Sequence, residues 1–278
     1  MSDLSEHPRV RAHREVVERL WTEPVLDLCG DDLPMPDNAT VLAAESRCGA
    51  MLKRWLTDLP AATRVMALDS SGPMLDEARS RIDEEEHQRI YFVQQRVGSL
   101  SYADGVFDAA VCLHGMVTSR QAYEGLSELS RVISPGGRLV ACFPLNGSFP
   151  EFYDLLDEAL RACELEDVLL RLGELRENLL SPARVATLAN QQNLDGVEVS
   201  ELRWQVAFGS GREFLYSPLI QETFFPNWTG AIRSSEREEV LAYVCDAIDA
   251  YWDEEMLSTE VQAALVVGAK NAADPEEG

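Results

Sequence analysis

The chain is short of basic residues. Only 24 Lys and Arg stand against 48 Asp and Glu, a formal net charge of −24. A surface of that sign repels nucleic-acid phosphates and anionic lipid, because binding either relies on cations neutralising phosphate. Nucleic acid and membrane are therefore excluded as partners. Clustered metal ligands are also missing. Six cysteines (Cys29, Cys48, Cys112, Cys142, Cys163, Cys245) are scattered without a CxxC pair, and the four histidines do not group. Zinc is thus not expected, nor is a disulfide framework in a chain this large. Several of these cysteines fall in apolar runs, where a thiol behaves as a small hydrophobe. No apolar run approaches the ~20 residues that span a bilayer. The opening "MSDLSEHPRVRAHREVVERL" lacks the apolar core of a signal peptide. A cytoplasmic location is expected.

What is present is a core-forming alternation. Of 278 residues, 46% are hydrophobic, enough for one large domain. An amphipathic helix over 8–21 carries Val10, Val16, Val17, Leu20 and Trp21 on one side. Strand patterns follow at 41–45, 64–69, 90–95, 107–114 and 138–144. Helical patterns lie between them at 50–59, 70–86 and 121–133, the last stopped by "SPGG". This spacing predicts βαβ units and a parallel sheet covered on both faces. After residue 150 the pattern turns helical (151–175, 181–194), then gives a strand (196–208). An aromatic stretch (214–232), a helix (236–252), a last strand (261–270) and a frayed tail follow. We read one domain. An N-terminal helical cap (1–35) precedes a core (36–144), insertions at 145–180 and 208–255, a closing strand (256–270) and the tail (271–278).

Open parallel sheets bind ligands outside the carboxyl ends of their strands. There stand Glu45, Ser46, Arg47, Cys48 and Gly49, then Asp69, then Arg96, Val97, Gly98 and Ser99, then His114, Gly115 and Met116. Asp69 ends the second strand ~20 residues beyond the turn. It is placed to accept from a ribose diol, or else to put negative charge at the start of the next helix. His114 is either a general base, its ordinary pKa being near neutral, or a hydrogen-bonded structural histidine.

In this order the motifs resemble the class I S-adenosylmethionine (SAM)-dependent methyltransferases. "VLAAESRCGA" stands where that family has an acidic residue and GxGxG, and "ALDSSGPMLDEAR" looks like its second motif. "VGSLSYADGVFDAAVCL" is similar to its "D-A-x-x-L-P-F-x-D-x-x-F-D" segment, and "LSELSRVISPGGRLV" to its helix–turn–strand signature. The resemblance covers 41–144. It implies a Rossmann-like open parallel sheet with an antiparallel last strand and helical and aromatic insertions. It also implies SAM as cofactor. Glu45 would face the methionine end, Gly49 would admit the cofactor to the backbone, and Asp69 would hold the ribose. Met74 would lie near the adenine, with Val97 and Gly98 at its edge, and His114 would face the transferred methyl.

Two positions depart from the pattern. Arg47 replaces the first glycine, and Arg96 replaces the adenine-contacting aspartate, putting an obligate donor where an acceptor belongs. The two arginines either swing aside or stack on the adenine, or bind an anionic ligand, or form surface ion pairs. One expectation is methyl transfer to a small-molecule or carrier-bound acceptor, a neutral or cationic one suiting the charge best. The other is a methyltransferase-like binding or scaffold protein that has lost SAM and engages a protein partner. Phe208, Phe214, Tyr216, Phe224, Phe225 and Trp228 form either a substrate lid or packing, including a possible homodimer interface.

Overall fold

The computed structural model describes residues 7–29, 38–56, 58–177, 179–252 and 256–272. Most of the predicted tail, and parts of the N-terminal cap and late insertion, lie outside these residues.

Seven strands form one sheet: β1 Thr40–Ala44, β2 Arg64–Asp69, β3 Ile90–Gln94, β4 Phe107–Cys112, β5 Ile133–Pro144, β6 Leu194–Phe208 and β7 Leu257–Lys270. Their order is β3-β2-β1-β4-β5-β7-β6. The first five are parallel. β7 runs antiparallel to β5, and β6 antiparallel to β7. Strand order reverses between β1 and β4, which opens a crevice at their carboxyl ends.

Successive residues of a strand face opposite sides, and the core divides accordingly. Ala43, Val65, Ala67, Val111, Val140 and Cys142 pack on one face. Leu42, Ala44, Leu68, Ala110, Cys112 and Leu139 pack on the other. The edge strand β6 alternates buried and exposed residues, as expected of an antiparallel strand with one wet face.

The N-terminal helix is continuous but changes pitch: α1 (Pro8–Ala12), a π-helical stretch (His13–Thr22), then α2 (Glu23–Cys29). Around the sheet lie α3 (Ala50–Leu56), α4 (Gly72–Ser80) and α5 (Ser119–Val132). A capping box starts α5. Thr118 accepts from the Gln121 backbone N–H, and the Gln121 side chain accepts from Thr118 N–H.

The helix expected over 70–86 ends at Ser80, and a short 3₁₀ turn occupies Glu86–Arg89. The acidic run "DEEE" opposes the negative end of a helix dipole. In addition, Arg81 turns back to Glu18 and the Cys48 carbonyl. The long helical pattern after residue 150 breaks at Glu164 (φ +58°) into α6 (Pro150–Ala162) and α7 (Glu166–Glu177). Then come α8 (Pro182–Asn190), α9 (Gly211–Tyr216), a π-helical Ile220–Phe224, α10 (Phe225–Thr229) and α11 (Ser234–Tyr251). In the aromatic stretch Phe208, Phe214, Phe224 and Trp228 are buried against Phe149 and Phe152. They are packing. Tyr216 is 57% exposed. Among the described residues no helix is long and apolar enough to cross a membrane.

Candidate functional site

The turn after β1 is built on two residues in left-handed backbone, Glu45 and Arg47, both at φ +50°. Non-glycine residues reach that region at a cost of roughly 1–2 kcal/mol each. The turn is held from the neighbouring strand. Ser46 donates from both its backbone N–H and its hydroxyl to the Leu68 carbonyl. Arg47 N–H donates to Asp69 Oδ2 at 3.1 Å. Asp69 is fully buried, and its Oδ1 accepts from Ser71 N–H at 2.8 Å. The carboxylate therefore ties the β1 turn to the start of α4.

The Arg47 side chain folds inward. Its Nη2 lies 3.4 Å from Glu45 Oε2, and its Nε lies 3.9 Å from Asp69 Oδ2. Burial works against its charge, but Glu45 and Asp69 outweigh burial and push its pKa up. Burial raises the Glu45 pKa, with Asp69 adding to it, against Arg47 and a hydrogen bond from the Val97 backbone. Gly115 (φ +87°) has to be glycine here: an added Cβ would stand 3.0 Å from Glu45 Cγ.

Beside this turn lies a cavity of about 480 Å³, lined by Glu45, Arg47, Ser70, Arg96, Val97, Gly98, Ser99, Gly115, Gln121 and Glu124. It falls in the size range of small-molecule sites. Five predicted residues (Glu45, Arg47, Arg96, Val97 and Gly98) meet on its wall. Asp69 lies beneath Arg47. Gly49 (φ +83°) and Met74 are not among the lining residues. A Cβ on Gly49 would come 3.0 Å from Ala78, so its glycine serves helix packing. Met74 sits in a buried cluster with Val10 and Cys48. Ser99 and Gly115, placed at the strand ends from the sequence, line the cavity too, whereas Ser70, Gln121 and Glu124 were not singled out for the site.

A second cavity of about 220 Å³ adjoins the first and shares Arg47, Gly115 and Gln121 with it. Its other walls are Arg9, His13, Val17, Trp21, His114, Val117, Pro144, Glu222 and Thr223. Arg9 and Glu222 pair at 3.1 Å across 213 residues of sequence. His114 is 8% exposed, and its Nε2 lies 3.1 Å from Thr22 Oγ1. Burial, Arg47 and His13 hold its pKa well below the usual histidine range. His13 is brought down to about 3 by burial, then by Arg47, Arg81 and Arg9. Both imidazoles are neutral at pH 7. The spacing of Val10, His13 and Val17 on one helix face carried the signal for His13, because a histidine there interrupts an apolar stripe.

A family of sequences described as a methyltransferase domain matches residues 45–137. With that match, the strand order above is that of the class I SAM-dependent methyltransferase fold, and residues 45–137 are similar to a methyltransferase domain. A demethylmenaquinone methyltransferase of Beutenbergia cavernae is 26% identical over 226 residues, covering 81% of this chain and 82% of that one. Three other bacterial quinone-biosynthesis methyltransferases are matched over only 31–56% of their own length. Among solved structures, YcgJ of Bacillus subtilis superposes with a TM-score of 0.53 at 15% identity, over 91% of this chain and 100% of that one. The [4+2]-cyclase SpnF gives 0.53 at 14% identity, over 89% and 80%. These likenesses show the fold; the chemistry has to be argued from the site.

Proposed function

We propose that this chain transfers a methyl group from SAM, bound in the 480 Å³ cleft, to a small acceptor in the adjoining 220 Å³ cavity. The observation that carries this reading is the adjacency of the two cavities, which share Arg47, Gly115 and Gln121 at the β1 and β4 ends. When bound, the cofactor supplies an electrophilic methyl on a sulfonium. Glu45, Val97, Gly98 and Ser99 would hold it. Asp69 has carboxylate lone pairs to spare for a ribose, since two backbone N–H groups use only part of its accepting capacity. Arg47 must first turn away, and its contacts of 3.4 and 3.9 Å are loose enough to release.

The acceptor cavity joins apolar walls (Val17, Trp21, Val117, Pro144) to neutral polar groups such as His114 and Thr223. That combination suits a flat ring bearing oxygen substituents. The relatives' names supply the class: we take a quinone-type ring as the acceptor. Holding ring and methyl donor in line supplies most of the rate in such a transfer. His114 is a poor base at its depressed pKa, so its part is to fix the acceptor, with Thr22 setting its ring.

The test is calorimetric titration with S-adenosylhomocysteine, followed by transfer of labelled methyl to a soluble hydroquinone. Micromolar binding that Asp69→Ala abolishes, together with label in the ring compound, supports the reading. Arg47 lying over Asp69 favours a second reading, a cofactor-free binding protein. Absence of binding in the parent chain and its appearance in Arg47→Gly would decide for that alternative.

A further inference from the structure

The N-terminal helix carries a cluster that methyl transfer does not use. In its π-helical stretch, residues five apart come to one side, and so His13 and Glu18 face the same point. Cys48 meets them from the β1 turn. One ligand atom of each, an imidazole nitrogen, a carboxylate oxygen and Sγ, lies within 4.8 Å of the others, and all three residues are buried. Met74 Sδ stands 3.2 Å from Cys48 Sγ. The second observation is His13 itself. It is only 2% exposed, and both ring nitrogens are shut from solvent without a hydrogen-bond partner. Buried polar groups without partners are rare in folded proteins.

Charge decides which ion fits. Glu18 is already neutralised by a bidentate pair with Arg81, at 2.5 and 3.0 Å, and Arg81 also donates to the Cys48 carbonyl. The Arg9 and Arg47 fields reach His13 as well. A divalent cation on the Cys48 thiolate would leave one net positive charge in that field. A monovalent ion on the same thiolate adds none. Imidazole, thiolate and thioether are the donors that soft ions prefer.

We propose that His13, Cys48 and Met74 form a buried site for a monovalent soft metal ion of the Cu(I) class, walled by the Glu18–Arg81 pair. The ion replaces the thiol proton: the S–H bond breaks, a sulfur–metal bond forms, and one proton leaves to solvent. The metal stays monovalent and no electron moves. The 220 Å³ cavity, which His13 also lines, gives the way in. This site does not depend on the methyl-transfer reading.

The test is anaerobic titration of the full chain with Cu(I) buffered by bathocuproine disulfonate. One tightly held equivalent is expected, with one proton released and an X-ray absorption first shell of one nitrogen and two sulfurs. Cys48→Ala and His13→Phe each lose that equivalent. Met74→Leu, a conservative swap, weakens it roughly tenfold or more, since even outer partners of a metal carry that much. Cys142→Ala, a buried β5 cysteine outside the cluster, retains it. An equivalent that survives in both Cys48→Ala and His13→Phe overturns the proposal, as does a first shell without two sulfurs. Zn(II) held where Cu(I) is not also overturns it. Should either deletion fail to fold, Met74→Leu and the wild-type absorption spectrum decide alone.

Discussion

At the carboxyl ends of β1 and β2, Glu45 and the half-buried Arg47 share a strained turn that borders open volume, with the buried Asp69 beneath them. Beneath the C-terminal helices, Phe149, Phe152, Phe214, Phe224 and Trp228 fill space with apolar rings. Phe152 and Trp228 stack at 3.9 Å, while Phe149 meets Phe224 edge-on at 4.9 Å. The one polar atom of Trp228 donates to the Tyr153 hydroxyl at 3.1 Å. One region keeps polar groups in tension beside a cavity; the other packs ring against ring. Perturbed charges gather where function lies, whereas dense aromatic packing supplies stability.

The comparison breaks first if the aromatic cluster proves dispensable. Trp228→Ala empties a fully buried site and should cost about 3–5 kcal/mol. Urea unfolding measures this, and cofactor-analogue binding to the folded fraction should be unchanged. Asp69→Ala comes next. It strands the Arg47 and Ser71 N–H groups and leaves Arg47 short of a partner, so about 1–3 kcal/mol of stability should go. Unlike the Trp228 change, it should also abolish S-adenosylhomocysteine binding. A loss of stability without a loss of binding would make Asp69 purely a structural tie.

His13 sharpens the contrast by pH. Its folded pKa, about 3, lies below the unfolded value of 6.5. The unfolded chain therefore binds the proton first, and stability present above pH 6.5 is lost as pH falls towards 3. Between pH 7 and pH 5 that amounts to roughly 1–2 kcal/mol. His13→Phe should flatten the stability profile in that window, followed by thermal melts at each pH. His114 shifts in the same direction, so a slope of the same sign remains in that variant.

The sheet was legible because its strands are near-continuous apolar runs and its turns carry Gly and Pro at the ends. "SPGG" does stop α5, at Val132. The carboxylate ending β2 was likewise present in the letters, whereas the Thr118–Gln121 cap starts α5 at Ser119, two residues before the expected 121. The second cavity was not. It needs Arg9 to meet Glu222 and His13 of the N-terminal helix to stand beside His114 beyond β4, and no local pattern encodes either distance. The antiparallel partner of β7 was read only as a strand, for periodicity carries no direction. Gly49 looked like a cofactor glycine because its φ and its contact with Ala78 demand the same residue that a ligand would.

Arg47→Gly is the smallest change in stability and the most informative about the cleft. Glycine relieves the strain of φ +50°, worth roughly 1–2 kcal/mol. It also removes the guanidinium from Glu45 and Asp69, leaving two buried carboxylates facing each other. These effects oppose, so net stability should move by less than about 1 kcal/mol at pH 7. Glu45 would then hold its proton to higher pH, because Arg47 is the leading influence that lowers its pKa. Stability of the variant should therefore fall more steeply as pH rises through the Glu45 titration than it does in the parent chain. Binding moves independently of this balance. If Arg47 is a removable cover on the ribose position, S-adenosylhomocysteine should bind the variant about tenfold or more tightly, since no ion pair has to break first. Weaker binding to the variant would instead make Arg47 a contact of the cofactor, and the buried charge at the strand ends would be part of the grip on it.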